Sequence, residues 1–127
     1  MLKSISKVLA NFGGRRESLR IREIAEAIRS SVLYGQVTYD AASLIDAAGA
    51  TGTVTVTGAA LGDFAEVSFG VSLQGITCTA YVSAPDTVSF RLQNESGGTI
   101  DLASTTVRAL VRKASAFSAT AGYNLLA

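Results

Sequence analysis

A chain of 127 residues, 48% hydrophobic and 17% charged, is long enough for one domain with an extension and too apolar to stay unfolded. It has no histidine, no tryptophan and one cysteine, which excludes an intrachain disulfide and removes the usual base for nucleophilic catalysis. Its net charge of +1 conceals a split, since residues 1–36 sum to +4 and residues 37–127 to −3. That split favours head-to-tail contact or docking on an acidic surface.

In chain order, Leu2, Ile5, Val8 and Leu9 recur at helical steps and predict a short amphipathic helix over 2–11, ended by Gly13-Gly14. Lys7 and Asn11 interrupt its apolar positions, so the uninterrupted core of ~7–15 apolar residues of a signal peptide is lacking. No stretch approaches the ~18–20 apolar residues of a membrane span. The expectation is synthesis in a host cytoplasm without export and no membrane partner. A stronger pattern follows: Leu19, Ile21, Ile24, Ala25, Ile28 and Val32 share one face, with Arg20, Arg22, Glu23, Glu26 and Arg29 mostly opposite. This predicts a helix over 16–33 with Gly35 as its C-cap. Residues 1–35 thus read as a basic helical arm. Helices this short are marginal alone, so their apolar stripes must lie on the body or on another chain.

From Gln36 the period becomes two. Strands are predicted at 53–57, 65–73, 76–83, 87–94 and 106–113, with shorter ones at 36–39 and 43–46. Val67, Phe69, Val71 and Leu73 share one face, as do Val88, Phe90 and Leu92, and then Val107, Ala109 and Val111. Cys78 runs in phase with Ile76, Ala80 and Val82 and reads as a small buried apolar residue. Turn signals stand between the runs at Gly49, Gly58, Gly62-Asp63, Gln74-Gly75, Pro85-Asp86 and Gly97-Gly98. About seven strands at this spacing predict a mainly β fold: an antiparallel β-sandwich or jelly-roll-like body over 36–113. Residues 114–127 form an apolar tail with Phe117, Tyr123, Leu125 and Leu126. A body this small gains from oligomerisation, and both chain ends are expected to be held by neighbouring molecules.

The segments Gly58–Phe64 (GAALGDF), Ser72–Ile76 (SLQGI), Ala80–Asn94 (AYVSAPDTVSFRLQN) and Gly97–Ala103 (GGTIDLA) resemble a small β-domain of tailed-bacteriophage virion proteins. It recurs in capsid decoration (cement) proteins and in fibre-type or tail-associated proteins. The resemblance covers about residues 51–113 and rests on turn and core residues without catalytic groups. It implies a β-sandwich that often trimerises and lies on a viral shell. The basic arm and the apolar tail fall outside it.

The polar residues carry little chemistry. Asp63 and Asp86 sit beside turn glycine or proline, where an aspartate bonds nearby amides. Asp63, Glu66, Asp86, Glu95 and Asp101 lack the spacing of a calcium loop. Asn94-Glu95-Ser96 matches the N-glycosylation pattern but reads as a strand end running into a turn. The Phe12–Arg16 run has neither the lysine nor the preceding strand of a phosphate loop. Arginines of the arm suit phosphate, but interleaved glutamates and missing aromatics argue against direct nucleic-acid contact. The threonine-rich outer faces are ordinary for sandwich strands and form no regular array.

These readings converge on a structural virion protein, not an enzyme, with no cofactor, metal or catalytic residue: a capsid decoration subunit, expected as a homotrimer, bound to the major capsid or another virion protein. Its expected partner-binding residues are Arg15, Arg16 and Arg20 for electrostatic attachment, Ile21, Ile24, Ile28 and Val32 as helix anchors, and Phe117, Tyr123, Leu125 and Leu126 for neighbouring pockets. The alternatives are a tail fibre, spike or adaptor component, or a receptor- or glycan-binding β-module.

Overall fold

A computed structural model describes residues 21–25 and 31–117. The chain divides into two units, with the second beginning at Val32. In the first, residues 21–25 are helical, within the expected helix; residues 16–20 and 26–30 lie outside the described residues.

The second unit is a mainly β domain of two three-stranded antiparallel sheets and a short 3-10 turn, η1 (Ala114–Phe117). The strands are β1 (Val32–Tyr39), β2 (Gly49–Thr55), β3 (Phe64–Phe69), β4 (Thr77–Ala84), β5 (Thr87–Gln93) and β6 (Thr105–Arg112). One sheet runs β1-β6-β3 and the other β2-β5-β4. Only β4 and β5 are joined as a hairpin within one sheet; every other connection changes sheet. Period-two patterning explains the pairing. Val107, Ala109 and Val111 on β6, the central strand of the first sheet, and Val88, Phe90 and Leu92 on β5, central in the second, are all buried in one shared core. Burial of such side chains stabilises by about 1.5–3 kcal/mol each.

Phe90 is the centre of that core. The rings of Tyr39 and Phe69, from the two edge strands of the opposite sheet, meet it edge-on at 5.0 and 5.4 Å. Its cross-strand neighbour is Gly52, where a methyl group would collide with the Phe90 ring. The aromatic group therefore takes its space from a glycine one strand away.

Several expectations are corrected. The helix predicted to continue through Val32 and Leu33 does not, because Val32–Tyr39 is a strand paired along its whole length with β6. Val32 is consequently a strand residue, not a helix anchor. Gly35 is no helix cap; it is glycine because a side chain there would strike the Thr55 carbonyl. The strand expected at 43–46 shrinks to a single bridge between Leu44 and Ile100, which leaves six strands among the described residues, and β3 stops at Phe69 rather than running to Leu73. Beyond Phe69, Leu73 still packs on the core, but its carbonyl accepts the Ile76 amide in a turn where Gln74 has φ 55°. Gly49 begins β2, and the turn before it falls at Asp46-Ala47.

Candidate interaction surface

The two sheets differ in the apolar side chains they present to solvent: four of nine outward positions on β1-β6-β3 are aliphatic or aromatic, against one of nine on β2-β5-β4. On β1-β6-β3 the pairing sets three ranks across the outer face: Val32, Arg112 and Phe64; then Tyr34, Leu110 and Glu66; then Gln36, Arg108 and Ser68. Val32, Tyr34 and Phe64 are 40%, 56% and 58% exposed. Leu110 stands between Tyr34 and Glu66. A shallow groove of about 280 Å³ opens here, lined by Tyr34, Glu66, Val67, Ser68, Arg108, Ala109 and Leu110. Arg112 pairs with Glu66 at 2.8 Å across two ranks, and the Tyr34 hydroxyl donates to Gln36 Oε1 at 2.8 Å. Arg108 forms no ion pair among the described residues.

The outer face of β2-β5-β4 is polar. Its ranks are Gly49, Gln93 and Thr77; Thr51, Arg91 and Thr79; and Thr53, Ser89 and Tyr81. These side chains bond one another. Arg91 donates to Thr51 Oγ1 and to Gln93 Oε1, Gln93 Nε2 donates to the Ala47 carbonyl and to Glu95, and Ser89 donates to Ser83 at 2.7 Å. Tyr81 is its only exposed large hydrophobic residue. A face that satisfies its own polar groups asks for water, whereas exposed aromatic and aliphatic side chains gathered on one face mark a contact surface.

A clamp fixes the chain at the apolar face's Phe64 end. The Asp63 carboxylate accepts the Ala60 amide, the Ala114 amide at 2.9 Å and Lys113 Nζ at 2.6 Å, while Lys113 also donates to the Gly58 carbonyl. Burial alone would raise this carboxyl, but those bonds and the Lys113 charge outweigh it and hold it below its ordinary 3.8. Beyond the clamp, η1 places the Phe117 ring edge-on against Phe64, centroids 5.6 Å apart.

Of the expected partner-binding residues, Val32 and Phe117 are brought to the same end of one sheet face: Val32 and Phe64 flank Arg112 in one rank, and Phe117 rests on Phe64. Ile21 and Ile24 lie in the helical residues 21–25, where Ile24 is 52% exposed and Ile21 half-buried. Arg15, Arg16, Arg20, Ile28, Tyr123, Leu125 and Leu126 lie outside the described residues. Sequence reasoning missed Tyr34, Phe64 and Leu110. Leu110 carried a signal, being an apolar residue in the outward phase of β6 between Arg108 and Arg112.

Other polar residues serve the fold. Asn94 is fully buried: its amide nitrogen donates to the carbonyls of Leu44 and Gly98, both at 2.8 Å, and its oxygen accepts the Ser96 amide. That nitrogen is committed inside the folded domain, so the acceptor pattern there is structural. Asp86 takes φ 62° after Pro85 and accepts the Gly58 amide at 2.8 Å. Cys78 is half-buried and burial pushes its thiol upward, which keeps it protonated and a poor nucleophile near neutral pH. Among the described residues no three His, Cys, Asp or Glu side chains are grouped to hold a metal, and no helix is long and apolar enough to cross a membrane.

No family model, curated protein or solved structure matches this chain.

Proposed function

We propose that this chain is a structural subunit of a tailed-phage particle, a head decoration (cement) protein whose two sheets are the halves of an antiparallel sandwich. It associates as a homo-oligomer, a trimer in the form its resemblance implies, and works without cofactor or reaction. Its site of action is the virion. The observation that carries the reading is the contrast between faces. Val32, Tyr34, Phe64 and Leu110 stand together on β1-β6-β3, while the opposite face bonds its own polar groups. The apolar face is the body's contact surface, and the basic arm holds the shell protein. A subunit bound across several shell proteins raises the work of separating them, because it binds the assembled state alone.

The test is a double substitution, Tyr34→Ser with Leu110→Asp, read by oligomeric state in solution and by retention on washed particles. The expected product is folded, monomeric and lost on washing. Wild-type oligomerisation and retention would overturn the reading. The stoichiometry on particles separates two virion roles: shell-like copy numbers mean decoration, and tail-like copy numbers mean a fibre, spike or adaptor. A body that binds glycans without its arm would favour the receptor-binding alternative.

A further inference from the structure

One cation on the β1-β6-β3 face is uncommitted. Within residues 32–117, Arg91 donates to Thr51 and Gln93, Arg112 pairs with Glu66, and Lys113 pairs with Asp63. Arg108 is exposed and has no bonding partner among the described residues, although it lines the groove with Tyr34 and Leu110. The carboxylates divide in the same way. Asp46 accepts the Gly97 amide, Asp86 the Gly58 amide and Glu95 the Gln93 side chain. Asp40 and Asp101 remain, both exposed and both without a partner among the described residues. The unused charges are thus complementary within a single sequence, which is what self-association requires.

Asp40 and Asp101 share one end of the domain with an apolar knob. Asp40 follows β1 and Asp101 precedes β6, in two connections tied together at Leu44 and Ile100, whose amides donate to each other's carbonyls at 2.8 and 2.9 Å. Ile45, the residue after that bridge, is 65% exposed. Its backbone is held in place. The Ile45 carbonyl accepts the Ala48 amide, the Ala47 amide donates to the Asn94 carbonyl, and Ala47 takes φ 68°. An apolar side chain on so fixed a turn loses little freedom on contact. This end therefore offers an aliphatic knob and two carboxylates, and the groove offers apolar walls and a guanidinium.

We infer, resting on the proposed role of the β1-β6-β3 face as a subunit contact, that this face receives the Asp40, Ile45 and Asp101 end of a second copy. Ile45 enters the groove between Tyr34 and Leu110, and the Asp40 or Asp101 carboxylate meets Arg108. Two different patches then face each other, so the contact is heterologous. Contacts of that kind close into rings, three-membered ones included, whereas a two-fold pair would need one patch to match itself. The charge match fixes register and turns away neighbours that present a like charge to Arg108.

Charge reversal and its rescue test this in the full-length chain, read by sedimentation at matched concentration and low salt. The three charged side chains are exposed and bond nothing among the described residues, so their variants keep the fold. Arg108→Glu is expected to weaken assembly roughly tenfold or more, and adding Asp40→Arg or Asp101→Arg to it is expected to recover most of that loss. Ile45→Ser is expected to weaken assembly as well. Assembly of Arg108→Glu or of Ile45→Ser equal to wild type, or a loss that neither reversal recovers, would overturn the pairing. Loss of particle retention with assembly intact would hand Arg108 to a shell protein and overturn it too. The contact face itself is judged separately. If Tyr34→Ser with Leu110→Asp dissociates the subunits and Arg108→Glu does not, the face stands as the contact and only its occupant is wrong; a monomeric wild type removes both.

Discussion

The Asp63 carboxylate collects hydrogen bonds from its own turn, from Lys113 and from the Ala114 amide, so one side chain joins the entry to β3 with the exit from β6. Its side chain is 5% exposed and that of Lys113 23%, which shields the pair from solvent screening. Because its folded value is depressed, the stability it contributes is fully present above the unfolded value, about pH 4, and is lost as pH falls through the folded value. Asp63→Asn should therefore cost about 2 kcal/mol near neutral pH. The gap between variant and wild type should close in acid, as thermal melts across pH would show. A loss of equal size at every pH would assign the effect to shape alone. Asp63 was recognisable in the sequence as a turn residue; its partner, fifty residues away, was not. Asn94 repeats the lesson. Its place at a strand end was legible, but the carbonyls of Leu44 and Gly98 that it bonds are brought to it by the fold.

At the level of elements, alternation located β3 to β6 to within a few residues, because an inward set such as Val107, Ala109 and Val111 leaves little choice of register. β1 was obscured for a specific reason. Ile24, Ile28 and Val32 continue a four-residue spacing, and Gly35 in an inward position removes the side chain that would have shown the period of two. The pressure for that glycine comes from Thr55, whose carbonyl occupies the space a methyl would fill. The apolar face was hidden by the same misreading, since Tyr34 joins it only once Val32–Tyr39 is a strand. Gly35→Ala should cost about 1–3 kcal/mol through backbone displacement. Gly98→Ala, where a methyl meets nothing within 4 Å, should stay within about 0.5 kcal/mol. Chemical denaturation of both variants checks the contrast, and equal midpoints would show that β1 yields freely.

At the scale of the whole molecule, the shared core, both sheets and the Asp63 clamp lie within residues 32–117, in the unit that begins at Val32. Deleting residues 1–31 therefore removes none of the strands and none of the core side chains found among the described residues. The truncated chain should unfold in one cooperative transition close to that of the full chain, whereas a cut after Gly35 would take half of β1 with it. If the arm is the shell attachment, the same truncation should abolish retention on washed particles. Full-length protein should also detach more readily as salt rises, because Arg15, Arg16 and Arg20 act through charges that salt screens within about 10 Å at 0.1 M. Retention that ignores salt but still requires the arm would transfer the attachment to Ile21, Ile24 and Ile28. Retention without the arm would shift the attachment to the β1-β6-β3 face, and Tyr34→Ser with Leu110→Asp in the truncated chain should then abolish it.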